Sequence, residues 1–263
     1  MATEALIVIP TLGQRVDYLR QTLESIRNQQ VEADITVVTP VSATAARALA
    51  REFGAEVIDD PGSLPSAINL GVAQAGTQHR YVNWLGDDDL LTDQSLESTL
   101  GALRANPRAV ISYGSCRYID PQGKELWVSK AGKWADRILT WGPDLIPQPG
   151  MLIRKEAWDM VGGVDESLSH AFDLDLLLKL KSQGEFIPVG QVVSCFRWHP
   201  ESLTVSDRSK SLNESEEIKR RYLSPRQAKL KWLWEQPVRV ATRIAAHRLN
   251  KRAYRISAAK TSG

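Results

Sequence analysis

The chain opens on a continuous apolar run, Ala5–Pro10, of the kind that forms a strand buried on both faces. Val16, Leu19, Leu23 and Ile26 follow at helical spacing and give out at the polar Asn28–Gln30. A second buried strand is expected over Ile35–Val38, a helix over Ala43–Phe53 closed by Gly54, and a third strand over Val57–Ile58. Pro65–Ala75 reads as a helix ended by Gly76, and Tyr81–Leu85 as a fourth strand. Strands alternating with helices of about ten to fifteen residues mean βαβ units and a parallel sheet. Such sheets bind ligands outside the carboxyl ends of their strands.

The pattern then loosens. Asp93–Ala105 is expected as a helix capped by Thr92 or Asp93, and Ala109–Tyr113 as a strand. From 114 to 150, Gly, Pro and Trp follow no steady period, which predicts a long excursion lining something. Ala157–Val161 and Leu174–Lys181 are short helices in this reading, and Val192–Trp198 is a last strand.

Composition adds limits. With 263 residues, 43% hydrophobic and 24% charged, the chain can bury a sizeable core and resembles ordinary globular proteins. Ala5–Pro10 is far too short to span a membrane, and with Glu4 ahead of it and no basic leader it is not a secretory signal. The expected location is the cytoplasm, where Cys116 and Cys195 are two reduced core thiols. The net charge of +2 hides an asymmetry. From Ile218 onward 13 Lys/Arg face one acid, Glu235; the preceding 217 residues carry 20 Lys/Arg against 30 Asp/Glu. An acidic body thus carries a basic tail.

The chemistry concentrates in "YVNWLGDDDLLTD", residues 81–93. Three adjacent carboxylates repel one another and need a counter-charge. A divalent cation would supply it: Mg²⁺ and Mn²⁺ take one or two protein carboxylates and fill the remaining positions with water and phosphate oxygens. The plainer alternative is a solvated acidic turn ahead of the helix at Asp93.

Six stretches carry a resemblance, in this order: "IPTLGQRVDYLRQTLESIRNQQ" (9–30), "AINLG" (67–71), "YVNWLGDDDLL" (81–91), "GGVDESL" (162–168), "FDLDLLLKL" (172–180) and "FRWHPESLT" (196–204). Together they resemble the inverting glycosyltransferases of family 2, over about residues 5–205. The resemblance implies an α/β GT-A fold, a Rossmann-like, mostly parallel sheet flanked by helices. It implies a domain over 1–210, with a nucleotide-binding half of about 1–113 and an acceptor half of about 114–210; the charge asymmetry reads the remaining 211–263 as a basic amphipathic helical tail. It also implies a Mn²⁺- or Mg²⁺-dependent transfer of a sugar from a nucleotide-sugar donor, UDP- or dTDP-linked by family habit. The acceptor would be a saccharide or lipid-linked hydroxyl in surface polysaccharide or glycolipid assembly, at the inner face of the cell membrane.

Residue by residue, Pro10, Thr11 and Arg15 match the segment that cradles the donor nucleoside, and Asn69 and Gly71 a motif on the flanking helix. Asp87, Asp88 and Asp89 match the Asp-x-Asp that binds metal and diphosphate, Asp88 first, with the register open because Gly86 takes what is often its first aspartate. Asp173 falls at the catalytic-base position, and His199 near the metal or diphosphate. The family commonly places a base-reading aspartate after its second strand. "VVTPVSAT" (37–44) holds none, so that role is open between Asp59 and Asp60. Trp127, Trp134 and Trp141 read as core or as an acceptor platform. The rivals are an aspartate-nucleophile phosphatase, a nucleotidyltransferase of similar fold, and a non-catalytic relative that binds a nucleotide or partner.

In the tail, Arg239, Arg243, His247, Lys251 and Arg255 recur every four residues as one slowly turning stripe. Leu230, Trp232, Leu233 and Trp234 stand among Lys229 and Lys231. Both an anionic membrane surface and the acidic body suit this tail. The acidic body itself argues against nucleic acid as a partner.

Overall fold

The computed structural model describes residues 3–129, 134–198 and 208–225, with single positions at 228, 229, 237 and 240. Four strands form its first half: β1 (Ala5–Pro10), β2 (Asp34–Thr39), β3 (Glu56–Asp59) and β4 (Tyr81–Trp84). They pair in parallel in the order β3-β2-β1-β4. The crossovers carry α1 (Val16–Arg27), α2 (Thr44–Glu52) and α3 (Leu64–Val72). Beyond β4 come β5 (Leu90–Leu91), α4 (Ser95–Ala105), β6 (Ala109–Ile119), β7 (Glu125–Ser129), α5 (Ala135–Ile138), β8 (Leu152–Arg154), α6 (Lys155–Val161), α7 (Phe172–Leu180), β9 (Glu185–Arg197) and α8 (Arg208–Tyr222). The sheet continues from β4 as β8-β6-β9-β5, with β7 paired to β6. β8 runs antiparallel to both its neighbours, whereas β6 and β9 run parallel.

The alternation within β1 shows why a continuous apolar run was needed. Ala5, Ile7 and Ile9 face a core shared with Leu19, Leu23 and Ile26 of α1 and Leu49 of α2. Leu6 and Val8 face the opposite core, with Ile68 and Val72 of α3, Trp158, Leu176 and Ile218. Each large apolar side chain buried this way contributes about 1.5–3 kcal/mol. α3 comes so close to β1 that a Cβ on Gly71 would stand 2.3 Å from Val8 Cγ1, which only glycine permits.

Several expectations change. β6 runs on to Ile119 because β9 on one side and β7 on the other give its backbone partners. β9 starts at Glu185 rather than Val192 for the same reason. Neither Thr92 nor Asp93 caps α4, which begins at Ser95 behind Gln94 in a left-handed conformation (φ 62°). The Thr92 hydroxyl instead donates to the Val192 carbonyl at 2.6 Å, tying the loop to β9. Both cysteines are buried and neither forms a disulfide. The boundary drawn after residue 210 falls inside α8, whose Ile218 is fully buried. The basic stripe from Arg239 to Arg255 and the Trp232–Trp234 segment lie outside the described residues. Among the described residues no helix is long and apolar enough to cross a membrane.

Candidate active site

The aspartates follow β4 at the carboxyl edge of the parallel strands. The Leu85 backbone N–H still donates to the Val8 carbonyl (2.8 Å), and the chain then breaks away through Gly86. A Cβ at Gly86 would stand 2.9 Å from Asp89 Oδ2 and 3.1 Å from Asp88 Oδ1. A larger residue there would push on the two carboxylates, so glycine leaves them room to fold back beside it.

Arg15, at the start of α1, supplies the counter-charge. Its Nη2 donates to Asp87 Oδ1 at 2.7 Å and its Nη1 to Asp88 Oδ2 at 2.8 Å. Thr11, just past β1, donates its hydroxyl to Asp87 Oδ2 (2.5 Å) and accepts from the Gly13 backbone N–H (2.9 Å). Asp89 is gripped from the other side, where the Arg197 backbone N–H donates to its Oδ1 at 3.1 Å. The Arg197 side chain, 1% exposed, locks the loop. Its guanidinium donates to the carbonyls of Asp88 (3.0 Å) and Pro121 (3.0 Å) and to Gln21 Oε1 (2.9 Å), and lies 4.3 Å over the Tyr18 ring. All three carboxylates are buried, with Asp87, Asp88 and Asp89 at 5%, 9% and 4% exposure.

Burial raises the Asp87 carboxyl above its usual range, against the pull of the Thr11 hydroxyl and Arg15. Burial also pushes Asp89 well above that range, aided by the charges of Asp88 and Asp87 and opposed by the Arg197 N–H.

A second carboxylate pair lies on the other half. Asp173 occupies the first turn of α7, where the Leu174 backbone N–H donates to its Oδ1 at 2.8 Å. Burial lifts its carboxyl to about 6; the N–H groups of Leu174 and Asp173 oppose the rise, and the Glu214 charge adds to it. Asp144 accepts from the Ile146 N–H at 2.9 Å, and burial, then the charge of Asp173, lift it to about 7. As a residue Asp144 remains exposed to solvent, which screens these charges. The Lys219 ammonium of α8 donates to the Gly142 carbonyl and lowers Asp144 in turn. Asp144, Glu214 and Lys219 escaped the sequence reading. Asp144 lies in the aperiodic middle stretch, and the other two lie on a mixed-charge helix that looks solvated.

The remaining expected residues separate. Pro10 ends β1 beside Val38, next to Thr11. Asp60 follows β3 on the same edge, where its Oδ1 accepts from the Gly62 N–H (3.0 Å), while Asp59 pairs with Arg47 at 2.8 Å. The Asn69 amide is spent on the turn after α6: it donates to the Val164 carbonyl and Glu166 Oε1, both at 2.9 Å, and accepts from the Val164 N–H. His199 lies outside the described residues. Trp127 stacks on Tyr118 (centroids 4.2 Å apart) in a cluster with Phe196 and Trp198, whereas Trp134 and Trp141 are exposed.

Among the described residues no three His, Cys, Asp or Glu side chains are grouped to hold a metal ion. A cation that needs one or two protein carboxylates still fits Asp87 and Asp88, hard oxygen donors already facing the Arg15 cation. Asp89 is held inward by Arg197.

A parallel four-stranded half with carboxylates at its carboxyl edge, continued by an antiparallel-rich half bearing a second carboxylate pair, defines a protein of GT-A architecture. The chain belongs to glycosyl transferase family 2, whose sequence model matches residues 6–159. The mannosyltransferase PcManGT from Pyrobaculum calidifontis, solved with GDP-Man and Mn²⁺, shares the fold with a TM-score of 0.65 at 15% identity, over 100% of this chain and 76% of its own. S. aureus TarS 1–349 in complex with UDP-GlcNAc gives a TM-score of 0.63 at 14% identity, over 84% of this chain and 65% of its own. Chondroitin synthase of Escherichia coli is 28% identical over 115 residues, 43% of this chain but 16% of that protein. The chain thus spans a small part of that curated relative. Asp173, Arg197 and Glu214 lie beyond the stretch that the family model matches.

Proposed function

We propose that the chain is an inverting glycosyltransferase that moves a sugar from a nucleoside-diphosphate sugar to an acceptor hydroxyl. The observation that carries this reading is the separation of two carboxylate groups. One is paired with an arginine at the carboxyl end of β4, and the other is raised toward neutrality at the start of α7. Family membership and fold relatives solved with UDP-GlcNAc or GDP-Man support such a donor.

Thr11, Asp60 and the β1 edge line the proposed donor side, and Arg15 is placed to meet a phosphate once the anions of the donor compete for it. Asp88 and Asp87 would hold Mg²⁺ or Mn²⁺, which when bound offsets the negative charge growing on the leaving diphosphate. Asp173 accepts the proton of the acceptor hydroxyl as that oxygen bonds to the anomeric carbon. The bond from the anomeric carbon to the diphosphate oxygen breaks with its electron pair, and a single displacement inverts the centre. A carboxylate raised to about 6 is ionised at neutral pH and is a stronger base than an ordinary aspartate.

Thermal-shift and calorimetric titrations with UDP, dTDP, GDP and CDP, with and without Mn²⁺, test the donor. NMR of the product then reads the anomeric configuration. No stabilisation by any nucleoside diphosphate, or a retained configuration, would reject the reading; pyrophosphate release would replace it with nucleotidyl transfer. The acceptor is proposed to be a saccharide or lipid-linked hydroxyl, and the basic tail to meet an anionic membrane surface. Protein that ignores anionic vesicles at low salt would end the membrane reading.

A further inference from the structure

The N-cap residue of α7 is Ala171, which has no side chain to cap the helix. The turn that leads into the helix is instead held from α8. Glu214 Oε1 accepts from the Ser169 N–H at 3.1 Å, and its Oε2 accepts from the His170 N–H at 2.7 Å and the Ala171 N–H at 2.6 Å. Three successive backbone donors thus converge on one carboxylate, immediately ahead of Asp173. α8 is fastened for this task. Ile218 is buried in the core beside α7, the Tyr222 hydroxyl donates to Asp175 Oδ1 at 3.0 Å, and Lys219 donates to the Gly142 carbonyl.

We infer that Glu214 is a positioning residue for the transfer reaction: its carboxylate fixes the turn that presents Asp173 at the start of α7. The inference rests on Asp173 as the proton acceptor. Two effects act through one group. The three hydrogen bonds, each to an anion, set the direction in which the first turn of α7 leaves the loop. The negative charge of Glu214 opposes ionisation of Asp173 and raises its proton affinity.

The other charges facing Asp173 come from three places. Asp144 stands on the loop after α5, Lys219 lies on α8 facing Asp144, and His170 precedes α7 beside Glu214. Asp175, on α7 itself, is engaged by Lys179 at 2.8 Å and by Tyr222. Glu214 is itself lowered: burial raises it, and the three backbone N–H groups and His170 outweigh that effect. It is therefore fully charged wherever Asp173 titrates, so its influence on the base is constant across the working range.

Glu214→Gln removes the charge and weakens the hold on the turn, whereas Glu214→Asp keeps the charge on a shorter arm. With the full chain and a nucleotide-sugar donor, Glu214→Gln should lower kcat roughly tenfold and move the acidic limb of the pH–rate profile down by roughly a few tenths of a pH unit. Its affinity for a nucleoside diphosphate should stay within about twofold of wild type. Glu214→Asp should leave the limb in place and recover part of the rate. A purely structural glutamate would lower the melting temperature of both variants and leave the limb where it is, and that result overturns the inference.

Two controls separate this inference from the assignment of the base. Asp173→Asn with undiminished activity would remove the base assignment. A carboxyl NMR titration of Asp173 in the Glu214→Gln protein reads the charge effect without any turnover. An unmoved Asp173 titration there would reject the role of Glu214 even where Asp173 proves essential.

Discussion

Asp87 and Asp88 share the guanidinium of Arg15, whereas Asp144 feels the charge of Asp173 and of a lysine bonded to a neighbouring carbonyl. The first pair is gripped by donors, with Arg15 on both carboxylates and the Thr11 hydroxyl on Asp87, and its position suits a cation or, through Arg15, a phosphate. The second pair is arranged to exchange protons near neutrality, because burial lifts both, with the Glu214 charge adding at Asp173 (about 6) and the Asp173 charge adding at Asp144 (about 7). The same residue type thus receives two electrostatic settings in one fold. Binding charge and moving protons call for opposite treatment of a carboxylate, and the fold separates them by placing one pair after a parallel strand and the other on the antiparallel-rich half.

The strongest way to break the comparison is Asp173→Asn. It should lower kcat by about two to four orders of magnitude while calorimetry finds the donor bound as before. In wild-type protein the rate should rise with pH through about 6 and level above it, since Asp173 must lose its proton to act. Loss of donor binding in equal measure would merge the two carboxylate groups into one site. Next in size, Asp88→Ala should weaken Mn²⁺-dependent binding of a nucleoside diphosphate by about tenfold or more, leaving metal-free binding nearly unchanged. Unaltered calorimetric titrations would make the triplet a solvated acidic turn.

Arg15→Ala sharpens the anionic side. It strands two adjacent carboxylates, and chemical denaturation at pH 8 should show a loss of about 1–3 kcal/mol that fades in acid as the carboxylates take up protons. An equal loss at pH 4 would mean that the arginine acts by packing. The smallest effect should come from Asp89→Asn. Because the folded state holds Asp89 well above its unfolded value, its charge costs stability, fully so above the folded pKa and not at all below the ordinary carboxylate range. Asparagine still accepts from the Arg197 N–H, so the variant should melt roughly a degree or two higher at pH 8, with the gain vanishing at about pH 3. A lower melting temperature at pH 8 would show that the charged form is needed for folding.

Legibility in the sequence followed the range of the interactions. β1 to β4 announced themselves because each is a local apolar run, and α1 because Leu19, Leu23 and Ile26 repeat at helical spacing. The triplet at 87–89 was visible because its repulsion is written in adjacent letters. β5, β7 and β8 were not, since two to five residues carry no period and their partners lie elsewhere in the chain. Arg15 was named for a donor and proved to be the counter-charge of carboxylates more than 70 positions away. Arg197 stood out only within the "FRWHPESLT" stretch, and its acceptors at Gln21, Asp88 and Pro121 leave no local mark. Asp144 and Glu214 had no local mark, because their importance comes from α7 being packed against them.

Arg197 also bears on how the chain reaches its final shape. Its guanidinium reaches Gln21 across 176 positions of sequence, the Asp88 carbonyl across 109 and the Pro121 carbonyl across 76. Each of these closures restricts a long loop before it returns any binding enthalpy, and a buried arginine gains little until all its acceptors have arrived. Non-local closures of this kind slow a folding reaction and gather toward its end. The aspartate loop should therefore be among the last parts to become rigid during refolding. A nucleotide signal that lags behind the recovery of helix and sheet would be the kinetic trace of that one side chain.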